Sequence, residues 1–266
     1  IEKFKKEGRY KSKKLNIRSF KVYGDGALGS RGAVLKNPYC DDPHNYGILR
    51  TSADDLKYYA KEIAEMGFQM NTHAIGDSTV SVLLNEYKKV LNEIDDPRWR
   101  IEHSQVVDMN EFELYNEKIL PSIQPTHATS DMYWAYDRLG SRIKGAYAFK
   151  DLLKSSNRVA LGTDFPVEKV NPFHTFYSSV ERKDLKGYPE NGFQMENSLS
   201  REETLKGMTI WGAYFNFEEH EKGSLEVGKS ADFVVLNQNI MEVEADLIPN
   251  TEVLQTYIDG ELVYSK

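Results

Sequence analysis

The sequence predicts an α/β fold, namely the later strands of a (β/α)8 TIM barrel, followed by a small all-β region. Predicted strands and helices alternate between residues 17 and 215, and this alternation favours a parallel sheet. Three predicted strands end on residues that can bind a metal or move a proton: His73, His103 and Asp164. Such residues at the carboxyl ends of parallel strands are typical of barrel active sites. Because only five βα units are visible, the sheet is either open or the later part of a barrel.

Composition excludes several classes of protein. The chain has 266 residues, of which 40% are hydrophobic and 28% charged, as in globular proteins. The net charge of −7 and the lack of a basic stripe argue against a nucleic-acid partner. With the single cysteine Cys40, no disulfide and no thiolate metal site forms within the chain. No apolar run approaches the ~20 residues of a membrane span.

The first residues give little information about location. Residues 1–16 are rich in lysine and are expected to form a poorly packed lead-in. The chain begins with Ile1 rather than Met, so we expect the natural N-terminus to be missing. No signal peptide is recognisable. The cytoplasm is therefore the default expectation, and export stays open.

The first half of the chain shows strand and helix patterns in turn. A strand over 17–23 is followed by a loop over 24–50 that is rich in Gly, Pro and Asn, and loops of this length are often functional. Ser52 can cap a helix over 53–66, which Gly67 ends. A strand over 68–73 precedes a helix over 78–94, whose apolar stripe is Val80, Leu83, Leu84, Tyr87 and Leu91.

The second half continues this order and then changes. We expect strands over 99–103, 119–124 and 158–162, helices over 110–117 and 141–153, and an aromatic-rich loop over 165–199. Ser200 and Glu203 form a capping box for a helix that runs to 215. After residue 222 only short strand patterns occur, and IDGEL predicts a hairpin with an Asp-Gly turn. The expected divisions are 1–16 (lead-in), 17–222 (barrel) and 223–266 (all-β part).

The residues at the strand ends suggest a metal-dependent hydrolase. His73 and His103 occupy equivalent positions on neighbouring predicted strands, and neutral imidazole is a common metal ligand. Asp164 could bind the same metal and act as general base and then general acid for an attacking water. The alternatives are satisfied core histidines and a turn aspartate.

Lys21 lies in a strand that is otherwise mostly apolar. Burial would depress its pKa and make the amine reactive enough to carry a carbamate, which could bridge two metals. An exposed strand lysine is the alternative.

Four more residues are candidates for binding a substrate. Asp25 and Arg31, in the glycine-rich GDGALGSRGA, could line the mouth of the site, and the guanidinium of Arg31 suits a carboxylate. Asp25 could equally be a turn residue and Arg31 a surface cation. Gln124 and His127, with the aromatic MYWAY segment, follow the strand over 119–124 and could form a pocket wall or a packed loop. His44, His174 and His220 have no ligand context and are assigned to loops or the surface.

Several motifs resemble one family. HAIGD at 73–77, RIEHSQ at 100–105, QPTHATSD at 124–131, RLGSRIKGAYAFKDLL at 138–153 and LGTDFPV at 161–167 are similar to the amidohydrolase superfamily. The resemblance is to its amidohydrolase 3 branch, which includes YtcJ-like proteins and N-substituted formamide deformylases. KVYGDGALGSRGA at 21–33 and GSLEVGKSADFVVLN at 223–237 extend it over nearly the whole chain from residue 17.

The resemblance implies a metal-dependent (β/α)8 barrel with a small β-sandwich, and hydrolysis of amide or cyclic amide C–N bonds by a metal-activated water. By position, His73, His103 and Asp164 match the ligands on the fifth, sixth and eighth strands. Lys21 matches the fourth-strand position, a carboxylated lysine in several branches. One or two divalent ions, zinc first, are implied as the cofactor.

One family feature has no counterpart here. The first strand of the family carries a His-x-His ligand pair, and this sequence contains none. The chain therefore resembles the C-terminal part of a family member, expected to be inactive alone and to bind metal weakly. The exposed edge of an incomplete barrel predicts self-association or pairing with the missing N-terminal half. The substrate is a small molecule, and the competing hypothesis is a non-catalytic barrel fragment serving as a structural or interaction module.

Overall fold

The computed structural model describes residues 1–266. Its strands are β1 (Tyr10–Lys11), β2 (Asn16–Ile17), β3 (Ser19–Tyr23), β4 (Gln69–Ala74), β5 (Trp99–His103), β6 (Ile119–Ile123), β7 (Ala160–Leu161), β8 (Phe233–Leu236), β9 (Val253–Ile258) and β10 (Glu261–Ser265). Its α-helices are α1 (Glu2–Glu7), α2 (Ala53–Glu65), α3 (Asp77–Val90), α4 (Pro125–Asp131), α5 (Ala135–Leu139), α6 (Phe149–Ser156), α7 (Pro172–Glu181), α8 (Arg201–Met208) and α9 (Ile210–Phe215). None of the helices has the length and apolar character that crossing a membrane requires.

The chain divides into two compact units, which are described in turn. The first unit comprises residues 1–122 and 133–157, and the second comprises residues 123–132 and 158–266. Short 3-10 helices occur in both units, at Phe112–Leu114, Gly140–Gly145, Met195–Asn197 and Ala245–Asn250.

The parallel sheet predicted from the sequence is confirmed. In the first unit β3, β4, β5 and β6 pair in chain order, each parallel to the next. The register aligns Tyr23 with His73, and Ala74 with His103. The carboxyl ends of β3, β4 and β5 therefore meet at one edge of the sheet, where a parallel sheet places its functional side chains.

Helices α2 and α3 bury apolar residues in the core of the first unit. The hydroxyl of Ser52 accepts a hydrogen bond from the amide of Asp55, as the predicted cap requires. All of the apolar stripe expected on α3 is buried: Val80, Leu83, Leu84, Tyr87 and Leu91. The rings of Tyr87 and Trp99 meet edge to face at 4.8 Å. The core thus fixes α3 against β5 and holds the strand ends in place.

The lead-in of the first unit is more ordered than its composition suggests. It contains α1 and the β1–β2 hairpin. The ring of Phe4 lies 5.8 Å from that of Phe20 and 5.9 Å from that of Phe68. The ring of Phe4 therefore ties a lysine-rich segment to the sheet, because its aromatic contacts offset part of the entropy of ordering the chain.

The helix expected over 110–117 is wrong. Only a short 3-10 turn at Phe112–Leu114 forms there. Asp108 accepts a hydrogen bond from the amide of Asn110, and Asn116 accepts one from the amide of Lys118. These Asx turns at both ends compete with helical hydrogen bonding.

The single helix expected over 141–153 is also wrong. It is split into the 3-10 helix Gly140–Gly145 and α6. Between them Tyr147 has a positive φ of 53°, and its amide donates to the carbonyl of Gln105. The amide of Val107 donates to the carbonyl of Gly145. Backbone groups that a helix would use are therefore bonded to the segment that follows β5.

In the second unit, the prediction of a continuous loop over 165–199 is wrong, because helix α7 forms within this segment. Asn171 caps this helix by accepting from the amide of Phe173, and Pro172 occupies its first turn. Asn followed by Pro is a recognised helix start. Helix α7 contributes Phe176 and Tyr177 to a core cluster with Ile248.

The end of the chain follows the predicted pattern, with one interruption. The capping box of Ser200 and Glu203 is present. The helix then breaks at Thr209, whose hydroxyl donates to the carbonyl of Leu205, so α8 and α9 are separate. Strands β8, β9 and β10 form an antiparallel sheet, and the Asp-Gly turn at Asp259 and Gly260 has the positive φ values of 54° and 81° that the hairpin requires.

Candidate metal centre

Two histidines meet at the edge of the parallel sheet in the first unit. His73 lies near the end of β4, and His103 is the last residue of β5. Their ring centroids are 4.4 Å apart. His103 is buried and has a positive φ of 76°. Residues other than glycine rarely have a positive φ, and those that do often lie at functional sites. The structure thus brings together the two residues that the sequence proposes as metal ligands.

Asp25 is buried next to His73 and does not line an open part of the site. It is 1% exposed, and its carboxylate accepts hydrogen bonds from the amides of Val34, Ile75 and Gly76 at 2.9, 3.0 and 2.9 Å. One carboxylate oxygen is 3.6 Å from Nε2 of His73. Burial raises the pKa of Asp25, against the lowering effect of the three amides. Asp25 therefore fixes the backbone that follows His73.

Lys21 is exposed on β3, so its amine is not desolvated by burial in the metal-free chain. Its Nζ lies 5.3 Å from the centre of the Tyr23 ring. The Tyr23 ring is in turn 5.5 Å from that of His73. Since residues two apart share a face of a strand, Lys21 and Tyr23 lie on the same face as the paired His73.

Arg31 has an intramolecular partner. Its Nε and Nη2 bind the two carboxylate oxygens of Asp41 at 3.2 and 2.9 Å. Arg138 also contacts Asp41. Because the guanidinium already makes the bidentate pair that a substrate carboxylate would need, Arg31 holds the loop rather than presenting a free fork.

The second unit holds its own set of titratable side chains. Nε2 of His127, on α4, lies 3.6 Å from Oδ2 of Asp164, and its Nδ1 lies 3.0 Å from Oε1 of Glu168. The hydroxyl of Ser130 donates to the same oxygen of Glu168 at 2.7 Å. Asp164 has a positive φ of 55° and a side chain that is 42% exposed. An imidazole is thus held between two carboxylates, one fixed and one open to solvent.

These contacts govern the charge of His127. Burial alone would lower its pKa, but the hydrogen bonds to Asp164 and Glu168 raise it to about 9. Burial would raise the pKa of Glu168, but the contacts with His127 and Ser130 lower it. The metal-free protein therefore carries His127 and Glu168 as an ion pair at neutral pH.

We expect Glu168→Gln to lower the pKa of His127 in the metal-free protein, because the neutral amide no longer stabilises the imidazolium. Since the folded-state pKa is raised above the ordinary 6.5 to about 9, the stability gained from this contact is present below about pH 6.5. It is lost as the pH rises through about 9. A histidine-ring NMR titration measures the shift, with exposed Glu190→Gln as the control. An unchanged pKa in Glu168→Gln would contradict the pairing.

Gln124 and the aromatic segment take different positions. Gln124 directly precedes α4 and is buried, and its carbonyl accepts from the amide of His127. Tyr133 and Tyr136 are 58% and 65% exposed. Gln124 therefore supports the backbone that carries His127, whereas both tyrosines present most of their surface to solvent.

Sequence reasoning missed Glu168 and the role of Asp25. The available signal for Glu168 was its place in the loop after β7, four residues beyond Asp164. No local pattern marks Asp25, since its amide partners Ile75 and Gly76 lie far along the chain.

The donors in both units fit a divalent metal. The first unit offers the imidazoles of His73 and His103, and the second offers His127 with the carboxylate of Asp164. Imidazole nitrogen and carboxylate oxygen are the ligands that zinc and related divalent ions prefer in proteins. The buried setting of His103 and the positive φ of His103 and Asp164 indicate side chains whose directions are set by the fold.

Metal-type ligands at the strand ends of a parallel α/β sheet define the class of barrel metallohydrolases. The chain belongs to the amidohydrolase family, since the sequence model of that family matches residues 1–264. It is 33% identical over 263 residues to Protein LONG AFTER FAR-RED 3 of Arabidopsis thaliana, covering 97% of this chain and 45% of that protein. It is 33% identical over 254 residues to Putative amidohydrolase YtcJ of Bacillus subtilis (strain 168), covering 93% and 47%.

The structural comparison agrees. An uncharacterised metal-dependent hydrolase from Pyrococcus horikoshii OT3 superimposes with a TM-score of 0.79 at 28% identity, covering 92% of this chain and 50% of that one. The predicted family and fold class are therefore confirmed. The chain spans about half the length of the curated relatives it matches.

Proposed function

We propose that this chain is part of a metal-dependent amidohydrolase and that His73, His103 and Asp164 are metal ligands. Lys21, in carboxylated form, is a further candidate ligand. The observation that carries this proposal is the pair of imidazoles at the ends of β4 and β5, whose centroids are 4.4 Å apart. The family and the similarity to a metal-dependent hydrolase support it. One or two divalent ions, zinc first, match the donor chemistry.

When bound, a divalent ion supplies Lewis-acid activation of water and of the bond to be cleaved. The residues of this chain supply proton transfer and positioning. Asp164 takes a proton from the attacking water and returns it to the leaving nitrogen. Glu168 binds Nδ1 of His127, so Nε2 of His127 faces Asp164 and stabilises its charged form. Asp25 holds the backbone that follows His73.

The family supports a proposal for the substrate class. We propose a small molecule with a non-peptide C–N bond, an amide or cyclic amide. Asp25, Arg31, Gln124 and His127 were the candidate substrate contacts. Asp25 is buried and Arg31 is paired with Asp41. Nε2 of His127 faces Asp164, the proposed proton-transfer group, so His127 is the candidate that lies beside the proposed chemistry. The 266-residue chain is expected to be inactive alone, since its sequence contains no His-x-His pair.

A second function has an observation in its favour. A non-catalytic barrel fragment could serve as a structural or interaction module, and β3 is the end strand of the parallel sheet in the described chain. Tyr23 on this strand is 57% exposed. Metal binding separates the two functions, because a purely structural module needs no zinc.

We expect the chain to self-associate, or to pair with a polypeptide that supplies the first-strand histidines, through the edge of β3. An edge strand presents unpaired backbone groups, which are a ready template for another strand. Light scattering on the purified chain measures the mass across a dilution series. The amide of Gly24 donates to β4, so the amide of the neighbouring Tyr23 faces away from β4, and Tyr23→Pro, which removes that outward donor, should weaken the association. A wild-type chain that is strictly monomeric at every concentration would contradict this expectation.

Zinc titration of the metal-free chain tests the proposed function. We expect saturable binding, weaker than at a complete four-ligand site because two ligands are absent. His73→Ala should abolish it, and His220→Ala, whose side chain is 93% exposed, should not. Binding that survives His73→Ala, or no binding by the wild type, would favour the structural module.

A further inference from the structure

A pocket of about 170 Å³ lies within the second unit beside Glu168. Its lining includes Thr126 and Thr129 on α4 and Ser178 on α7, three residues that carry hydroxyl groups. These three residues are 8%, 5% and 2% exposed, so their hydroxyl groups lie away from bulk solvent. Burying a hydroxyl without a hydrogen-bond partner costs free energy. The hydrogen bonds among these three groups therefore show which donors and acceptors are left for a ligand.

The hydrogen bonds leave one hydroxyl unused. Thr129 donates to the carbonyl of Thr126 at 3.1 Å, so Ser178, whose oxygen is 3.1 Å from that of Thr129, must donate to it. Oγ1 of Thr126 is buried and has no hydrogen-bond partner in the protein. The hydroxyl of Thr126 is therefore the unused donor beside this pocket, and the lone pairs of Ser178 are its unused acceptors.

The two carboxylates around the pocket already have partners. Oε1 of Glu168 faces His127 and Ser130, and Oδ1 of Asp184 accepts from the amides of Lys186 and Tyr188. His174 is kept neutral, since burial and the nearby Lys169 both lower its pKa.

Lys169 is exposed and lines the same pocket, so its charge disfavours a ligand ammonium. The carboxylates of Glu168 and Asp184, which also line the pocket, disfavour a ligand anion.

We propose that this pocket binds a neutral carboxamide group, which both donates and accepts hydrogen bonds, as a non-reacting part of the substrate. Its place in the reaction rests on the function proposed above, whereas binding itself requires neither metal nor turnover. The amide N–H₂ faces the lone pairs of Ser178 and neutral His174, and the amide oxygen accepts from Thr126. The pocket thus favours amide substrates that carry a second, non-reacting carboxamide group away from the bond that is cleaved.

The test uses three probes of similar size on the metal-free 266-residue chain: propionamide, propionate and propylammonium. Threonine-methyl NMR follows the titration at Thr126 and Thr129. We expect a saturable shift with propionamide, and at least about five-fold weaker binding of it by Thr126→Val, the effect of losing one hydrogen bond. Thr175→Val is the matched control, because Thr175 is equally buried with an unpartnered hydroxyl but does not line the pocket.

Propionate or propylammonium binding as tightly as propionamide would overturn the assignment. So would no saturable shift with propionamide, or equal weakening in both threonine variants. Zinc binding is measured separately, so propionamide binding to a chain that takes up no zinc would leave the pocket assigned and reject only the proposed hydrolase.

Discussion

Asp25→Asn should lower the free energy of unfolding by about 2–4 kcal/mol, because the substitution places a side-chain N–H₂ opposite a buried backbone N–H. The carboxylate accepts three backbone amides with its two oxygens. In either orientation the new side-chain N–H₂ of the asparagine would meet at least one of these N–H groups. Urea denaturation followed by circular dichroism measures the change.

Asp54→Asn is the control for that substitution. Its side chain is 94% exposed and makes only an ion pair with Lys57 within α2, so we expect a change within about 0.5 kcal/mol. Equal stability of Asp25→Asn and wild type would mean that the carboxylate does not hold the loop after β3 to the end of β4.

Gly76→Ala should destabilise the first unit by about 3 kcal/mol or more, or prevent folding, because the new methyl group has no space. A Cβ at this position would lie 2.1 Å from the carbonyl oxygen of Val34 and 2.5 Å from its carbonyl carbon. Both neighbours are backbone atoms, so relief requires moving the segment that also bonds Asp25. Thermal unfolding of the soluble fraction measures the effect.

Gly162→Ala provides the matched comparison, since a Cβ there meets no atom within 4 Å. We expect its unfolding temperature to stay close to that of the wild type. If Gly76→Ala unfolds at the same temperature as Gly162→Ala, the close approach of Val34 to the turn after β4 is not a constraint on the fold.

The sequence predicted the parallel strands and the strand ends well, because both depend on local patterns. Strand β5 begins and ends where its pattern predicts. The sheet register pairs His73 with Glu102 and Ala74 with His103, so the two histidines are offset by one residue. Helix α7 was missed although Asn171 and Pro172 mark its start, since the aromatic composition of the segment favoured a loop.

Long-range pairing could not be predicted in the same way. Arg31 looked available for a substrate until the fold placed Asp41 against it. Asp25 was a candidate for the mouth of the site, with a turn residue as the alternative, yet its partners Ile75 and Gly76 are about fifty positions away. Such contacts depend on how separate loops meet at the sheet edge, which neither periodicity nor propensity encodes.

The candidate site follows only in part from the sequence, because its contacts join residues that are far apart along the chain. Glu168 acts through its distance to His127, 3.0 Å, and these residues are 41 positions apart. A sequence identifies an acidic residue in a loop, but only the fold shows which imidazole it meets. The metal-ligand candidates were accessible because each one sits at the end of its own strand pattern.

A zinc titration of the metal-free chain, followed by the ring-nitrogen NMR signals of all six histidines, tests the central claim most directly. If His73 and His103 form the ligand pair, their ring nitrogens shift together and saturate together. The exposed His220 and His44 then serve as internal controls and stay unchanged. Shifts confined to those two histidines, with His73 and His103 unaffected, would contradict a metal centre at the ends of β4 and β5.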